Sequence, residues 1–541
     1  MKTKILNFRH RNTGIMMLIF AICILTSVGQ TQVTYQMTYG SSQNEEARSV
    51  ISTSSGYLFG GSTNSFGAGS IDYYLIGTDT CGSVTLSKTI GGTAAESCYD
   101  VIRSFGGRNV LYGRTNSFGV ADVESYLVEL NSGNSNVKTS WVVGDTLKEE
   151  GQAIVEARDS SGFVGTGFTN SYGAGNYDIY VIKHRYNGTI AWTKVIGGNN
   201  LDKAYDIQTT SDGGYIVVGE TKSFGQGKSD VYLLKLNASG NISWTKTYGT
   251  SGNDVGYSVK QILGGGYAIA GYTELHDSIP FGKNIYVINT DGSGNLNWSG
   301  SYGGSDNDEG RSIVQLADSS FAICGITNSF GAGNDDAYLI KTNLNGTLSW
   351  GMTYGGDSID RCFCLLNTAD NGFLLTGQTY SFGNGKSDVY AIKTDNNGFS
   401  GCNEDSGAVY YEVLDSISAG GSLTSGGIVN TGGILNSPTT LTDTLCNSCY
   451  EFRTPGTGLI PNELNLRVYP NPTATEINIQ VNGNLQQDAS IEICNVNGIL
   501  VFSSNLSSNF IQIPVIKYTS GIYFIKIING DETINTKVMI E

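Results

Sequence analysis

Proline is scarce in this 541-residue chain, seven residues against 73 glycines, and histidine is scarcer still at three. With so few prolines, the glycines and 31 tyrosines set a texture that suits many short strands joined by tight turns. No strict Gly-x-y period runs through the glycines, which excludes a collagen-like chain. Once an N-terminal leader is removed only His184, beside the turn Tyr186-Asn187-Gly188 and so expected in solvent, and His276 remain, too few to expect a closed zinc site. Basic residues are also short, 32 against 48 acidic, for a formal charge of −16. Phosphate backbones are bound by Lys/Arg patches, so nucleic acid is not expected as a partner. Beyond the N-terminus no long apolar run suggests a helix or a membrane span. The G-x-S-x-G elbow, the H-E-x-x-H helix, the P-loop and a G-x-G-x-x-G following a strand are all missing.

What is present is a repeat. The triplet Asp-x-Tyr or a close variant recurs seven times, its tyrosines at Tyr74, Tyr126, Tyr180, Tyr232, Tyr286, Tyr338 and Tyr390, spaced 52 or 54 residues apart. A Gly- and aromatic-rich period near 50 predicts the blades of a β-propeller. Each unit reads as four strands, a to d, separated by turns such as Ser211-Asp212-Gly213-Gly214 and Asn237–Asn241. A d-type segment, Tyr35–Gly40, precedes every a, b or c strand, and the seventh unit lacks its own d. The simplest closure has the N-terminal segment supply that outer strand, giving a closed seven-bladed ring over residues 33–400 with no open edge. Five tryptophans, Trp141, Trp192, Trp244, Trp298 and Trp350, occupy d positions and are expected to fill space between blades.

The first 29 residues read as a signal peptide. Basic residues from Lys2 to Arg11 precede the apolar run Ile15–Leu25, and Ser27-Val28-Gly29 supplies small residues for cleavage. Its removal leaves a charge of about −20. A lipid anchor on Cys23 is disfavoured because Phe20-Ala21-Ile22-Cys23 has the bulky Ile22 where such signals want Gly or Ala. Cys98 and Cys362 fall where other units carry Ala47, Gly151, Ala204, Gly256 and Gly310, so they are expected as buried packing residues. Cys402, Cys446 and Cys449 flank a Gly/Ser/Thr-rich stretch, residues 401–460, read as a linker or extension, and export permits a disulfide there.

From residue 461 the texture changes to a compact β-domain. Val468-Tyr469-Pro470-Asn471-Pro472, the pair Asn497-Gly498, and Gly521-Ile522-Tyr523 within Gly521–Ile527 resemble the C-terminal sorting domain of type IX secretion substrates. That resemblance implies a small β-sandwich, passage across the outer membrane of a Bacteroidota-type bacterium, and the type IX machinery as a partner. The repeat units resemble exported bacterial propeller repeats that share no single activity. Five Asp-Ser/Thr-apolar triplets, among them Asp277-Ser278-Ile279, resemble O-glycosylation sites of such exported proteins.

Two acidic sets follow the repeat. Glu45, Glu96, Glu149, Asp202, Asp254, Asp308 and Asp360 lie just beyond each d-to-a loop. Asp72, Glu124, Asp178, Asp230, Asn284, Asp336 and Asp388 begin each c strand. Strand direction puts both on one face, the top. Carboxylates there suit Ca²⁺ or a cationic ligand, or else they hold Gly-rich loops by accepting backbone N–H groups. The b–c loop of unit five, Thr273–Gly282, breaks the repeat and brings Glu274, His276 and Asp277 together as a candidate ligand-binding cluster. The expected function is a secreted or surface-displayed, non-catalytic binding or adhesion module for an extracellular glycan or protein. An extracellular polysaccharide hydrolase or lyase using top-face carboxylates, and a structural surface-layer component, are the alternatives.

Overall fold

The computed structural model describes the chain except for residues 1–31, 135, 275–281, 408–409, 412–415, 419–421, 425–427, 431–433, 437–440, 448–464, 470–474, 483–488, 496–498, 507, 530–531 and 541. The leader read at residues 1–29 lies outside the described residues. All named elements are β-strands, and the chain divides into two units, Met1–Tyr450 and Glu451–Glu541.

The first unit is propeller-like, built from antiparallel sheets that follow one another along the chain. Sheet four is representative. Asp202–Thr209, Tyr215–Thr221, Asp230–Leu236 and Ile242–Gly249 pair in sequence order. Its turns are closed by glycines with positive φ, Gly213 at 82° and Gly240 at 76°, values that strain any residue with a Cβ. The same pattern gives six sheets of four consecutive strands, beginning at Glu45, Glu96, Glu149, Asp202, Asp254 and Asp308. A seventh holds Asp360–Asn367, Phe373–Thr379 and Asp388–Thr394 with the N-terminal strand Tyr35–Gly40 as its fourth member. Tyr35 lies opposite Lys393 and Tyr39 opposite Val389.

Adjacent sheets are joined by a repeated contact. The turn glycine between the third and fourth strands sits against the Trp of the preceding sheet: a methyl group on Gly346 would meet Trp298 at 2.8 Å, and one on Gly398 would meet Trp350 at 2.9 Å. The same Trp packs edge-on against an aromatic of the next sheet, as in Trp192–Tyr215 and Trp350–Phe373, with ring centroids 6.2 and 6.1 Å apart. Four residues beyond the Trp, a tyrosine hydroxyl donates to the carbonyl of that turn glycine, Tyr248 to Gly294 at 2.7 Å and Tyr354 to Gly398 at 2.6 Å.

Glycine- and serine-rich residues 404–447 add a fifth strand to every one of the seven sheets. Glu404–Ser406 pairs with the fourth strand of sheet six, and Tyr410–Tyr411 with that of sheet five. Ser416–Ser418, Ser422–Thr424, Ile428–Asn430 and Ile434–Asn436 then pair with sheets four, three, two and one. Finally Leu441–Asn447 pairs with the N-terminal strand, Tyr39 opposite Thr442. Every outer edge that a four-stranded sheet would leave open is thus paired. A disulfide between Cys402 and Cys446 joins the two ends of this strap. Cys81 is also disulfide-bonded. Cys98 and Cys362 are buried and free, as packing residues should be.

The second unit has two sheets, one of Asn465–Tyr469, Glu476–Asn482 and Phe510–Pro514, the other of Ser490–Asn495, Leu500–Asn505, Gly521–Asn529 and Glu532–Ile540. One core serves both, with Ile477, Ile479 and Ile513 from the first sheet against Ile491, Ile493, Ile525 and Ile527 from the second. Strict alternation of these β-branched residues marks each strand as buried on one face only.

Candidate functional site

Both acidic sets are interior. All fourteen side chains, Asn284 included, are at most 2% exposed. In the first set one oxygen accepts the backbone N–H four residues earlier: Gly92 to Glu96 at 2.7 Å, Gly198 to Asp202 at 2.8 Å, Gly356 to Asp360 at 2.8 Å. A hydroxyl of the same unit adds a second bond, Thr115 to Glu96 at 2.8 Å and Ser381 to Asp360 at 2.6 Å. The second set caps the b–c loop, accepting N–H groups from Gly69 on Asp72, Gly227 on Asp230 and Gly385 on Asp388 at 2.9–3.0 Å. The tyrosine two residues on packs against the Phe of that same loop, as in Phe224–Tyr232 at 5.6 Å and Phe330–Tyr338 at 5.8 Å. Asp-x-Tyr therefore recurs because its first and third side chains, on one side of the strand, hold one loop between them.

The two sets meet in pairs. A methyl group on Gly91 would lie 1.9 Å from Asp72 Oδ1 and 2.6 Å from Glu96 Oε2, and one on Gly355 would lie 2.2 Å from Asp336 Oδ1 and 2.6 Å from Asp360 Oδ2. Only glycine leaves room for the two carboxyl groups above it. Asp72 Oδ1 and Asp230 Oδ1 are buried without a hydrogen-bond partner. Burial, with the neighbouring carboxylate adding to it, pushes Asp336 up to about 7, and burial likewise lifts Asp254 to about 7. In unit five the partner of Asp308 is Asn284, so that pair holds one titrating group instead of two. Among the described residues no three His, Cys, Asp or Glu side chains form a group able to hold a metal ion.

Glu274 is half-buried and accepts the Asn253 amide at 2.6 Å. His276 and Asp277 lie outside the described residues. His184, which the turn pattern suggested was solvated, is instead 1% exposed at the end of Asp178–Arg185, its ring stacked on Trp141 at 6.0 Å. Neither ring nitrogen has a hydrogen-bond partner, and burial pulls its pKa down to about 4. Of the sorting motif, Tyr469 ends a strand, Gly521 begins one, and Ile522 follows it in that strand; Tyr523 is buried with its hydroxyl donating to the Thr519 carbonyl at 2.9 Å. Pro470, Asn471 and Pro472 lie outside the described residues.

A different constellation comes from the first strand of each sheet. Every one of these strands is interrupted by a bulge just after its small residue, between Ala47 and Ser49 in sheet one and between Gly310 and Ser312 in sheet six. The extra residue is left out of the ladder, and its side chain is turned away from the sheet. The seven extra residues are Arg48, Tyr99, Gln152, Tyr205, Tyr257, Arg311 and Phe363. All seven line one cavity of about 270 Å³. Arg48 lies over Phe363 with its guanidinium carbon 4.2 Å from the ring centroid, and Arg311 over Tyr257 at 4.0 Å. Tyr205 and Tyr257 are 5.1 Å apart, and the Tyr205 hydroxyl donates to Glu220 at 2.6 Å. A second cavity of about 360 Å³ shares Arg48, Arg311 and Phe363 and adds Lys283, Arg361 and the amides of Asn307, Asn328 and Gln378. On another side of the same residues Asp100 accepts Ile154 N–H and Ser49 Oγ–H, both at 2.9 Å, and burial raises it to about 6. The signal in the sequence was the residue after the small position, large in all seven units.

Fold and second unit together define an exported all-β protein of propeller-like architecture with its address at the C-terminus. Residues 467–541 match the family model described as the secretion system C-terminal sorting domain. The second unit is such a domain, which implies engagement of the type IX secretion system, and the protein is secreted or displayed at the cell surface. Among solved structures the chain is similar to PorZ, an essential bacterial surface component of the type IX secretion system of Porphyromonas gingivalis. Identity is 12%, covering 93% of this chain and 60% of that one, with a TM-score of 0.40. It is also similar to the extracellular domain assigned to a hybrid two-component system of B. thetaiotaomicron, at 9% identity, 93% and 57% coverage and a TM-score of 0.32. The chain spans less than two thirds of either structure's length. No curated protein sequence matches it.

Proposed function

We propose that the seven sheets are the blades of one closed propeller, sealed by the N-terminal strand and bound by the strap of residues 404–447, which acts outside the cell as a non-catalytic binding module. The ligand enters the central cavity rather than an acidic face. One observation carries this reading: a bulge in every inner strand sends a large side chain, polar, cationic or aromatic, into one shared cavity. Bulges that re-aim one side chain per strand are a recurrent way to furnish a site on a rigid sheet. The acids are occupied differently, as loop caps. Residues 1–29 serve as the cleaved leader and 461–541 as the sorting domain.

A glycan array probed with the secreted protein, followed by reducing-sugar release on every glycan that binds, tests this reading. Saturable binding without turnover is expected. Turnover that depends on residues of the cavity would replace the binding module with an enzyme.

A further inference from the structure

We propose that the cavity at the bulge ring takes a sugar carrying a single carboxylate, the carboxylate held by Arg48 and Arg311 and the sugar ring laid against Phe363. This rests on the binding reading above and names its ligand class.

Charge is the first argument. Among the described residues the larger cavity is lined by four cations, Arg48, Lys283, Arg311 and Arg361, and two carboxylates, Glu309 and Asp335, with Glu46 beside Arg48 as a third. Arg48 pairs with Glu46 at 3.0 Å, Arg361 with Asp335 at 2.5 Å, while Lys283 and Arg311 share the single carboxylate of Glu309. Across the ring Glu150 is itself held by Lys148 at 2.7 Å and Arg114 at 3.8 Å, so it does not neutralise the surplus. Among these seven groups one positive charge is left over, in a chain whose net charge is −16. A site built to take one anion has this balance, because burial of an unmatched charge is costly.

Geometry is the second. Each guanidinium is fixed from two directions, by a carboxylate two residues away on its own strand and by an aromatic face. A guanidinium has five N–H donors in a fixed fork, so one such carboxylate leaves donors to spare, and Arg311 Nε is buried without a partner. Orientation before binding lowers the entropy lost on capture.

The third is the remaining lining. Gln152, Asn307, Asn328 and Gln378 present amides, which both donate and accept, and hydroxyl groups need partners of that kind. Among the described residues Ile326 is the one aliphatic side chain lining the 360 Å³ cavity, so an acyl chain would find little there to bury against. Phe363 and the three tyrosines offer flat faces for the C–H side of a pyranose.

Isothermal titration of the full secreted chain with glucuronate, glucose and acetate, and with a glucuronate-terminated oligosaccharide, tests the inference. Glucuronate should bind at least tenfold more tightly than glucose or acetate, and Arg311→Gln and Arg48→Gln should each weaken it about tenfold. The oligosaccharide arm shows whether the sugar is taken free or as a chain end. On the unaltered protein, saturation of the tyrosine and phenylalanine protons should transfer to the glucuronate ring protons, a readout that needs no variant to fold. Glucose binding as well as glucuronate overturns the carboxylate and leaves the binding module standing. Absence of both binding and saturation transfer overturns the inference, and the glycan array then decides the wider reading separately.

Discussion

The Tyr39 hydroxyl donates to the Gly82 carbonyl at 2.7 Å, tying the N-terminal strand of sheet seven to the turn of sheet one. It is the same bond that Tyr354 makes to Gly398 between sheets six and seven. Tyr35 and Met37 likewise take the places of Trp350 and Met352, touching the turn glycine of the next sheet. The first residues of the propeller-like unit therefore complete its last sheet and grip its first. Replacing Tyr39 by Phe removes the donor and leaves a buried carbonyl unpaired, which costs about 1–3 kcal/mol. Tyr354→Phe should cost a similar amount. Thermal melts of the two variants should shift down together; a Tyr39→Phe melt equal to wild type would mean that this bond adds nothing to the stability of the unit.

The strap makes a second prediction. A disulfide spanning 44 residues of sequence closes a loop that touches all seven sheets. Cross-linking ends so far apart restricts the unfolded chain, and for a loop of this size the effect is about 3–4 kcal/mol. Cys402→Ser should therefore lower the melting temperature and open residues 404–447 to limited proteolysis, with cleavage seen by mass spectrometry. Single substitution is preferable to reductant, because reductant also opens the disulfide at Cys81.

Much of the first unit was legible because its signals are local and repeated. Asp72 and Tyr74 act on one loop through side chains two residues apart, so their spacing survives in the sequence unchanged. The terminal strand was legible too, since Tyr35–Gly40 carries the same pattern as Leu348–Tyr354. The ring of Arg48, Arg311 and Phe363 was not, because a bulge is a register event, and register is visible only when the neighbouring strand is in place. The strap was hidden for another reason. Its strands are mostly three residues long, and their partners are fully formed sheets, so Ile417, Leu423, Val429 and Leu435 needed little local propensity of their own. His184 misled because its strand continues to Arg185, one turn of alternation further than the flanking Tyr186-Asn187-Gly188 suggests. On the second unit, Tyr523 and Ile525 were readable from plain alternation.

His184 gives a prediction free of any mutation. Its ring is buried against Trp141 with no hydrogen-bond partner, so the neutral form is favoured and the pKa falls to about 4. In the unfolded chain the group titrates near its ordinary 6.5. As pH drops from 6.5 towards 4 the unfolded chain takes up a proton that the folded chain refuses, so this group costs stability in that window. The His184 ring carbon-bound proton should keep its neutral NMR shift down to pH 5. Titration with a midpoint above 6 would place the ring in solvent.

The carboxyl pairs act in the opposite direction. Asp254 and Asp336 rise from 3.8 to about 7 in the folded protein, the first lifted chiefly by burial, the second by burial and by Asp360 beside it. A carboxyl whose folded pKa lies above its unfolded one keeps a proton that the unfolded chain releases. Its contribution is complete below pH 3.8 and is lost as pH rises towards 7. Asn284 beside Asp308 is the natural test of what relieves this: an amide occupies the same place over Gly303 and cannot ionise. Asp336→Asn keeps an oxygen to accept the Gly333 N–H, now at 2.9 Å, and removes the charge next to Asp360. Melting temperatures measured from pH 5 to pH 8 should fall for the wild type over that span by more than for the variant. At pH 8 the variant should melt higher by about 1–3 °C. An unchanged slope would mean that Asp336 does not hold a proton in this range, and that solvent reaches its Oδ1.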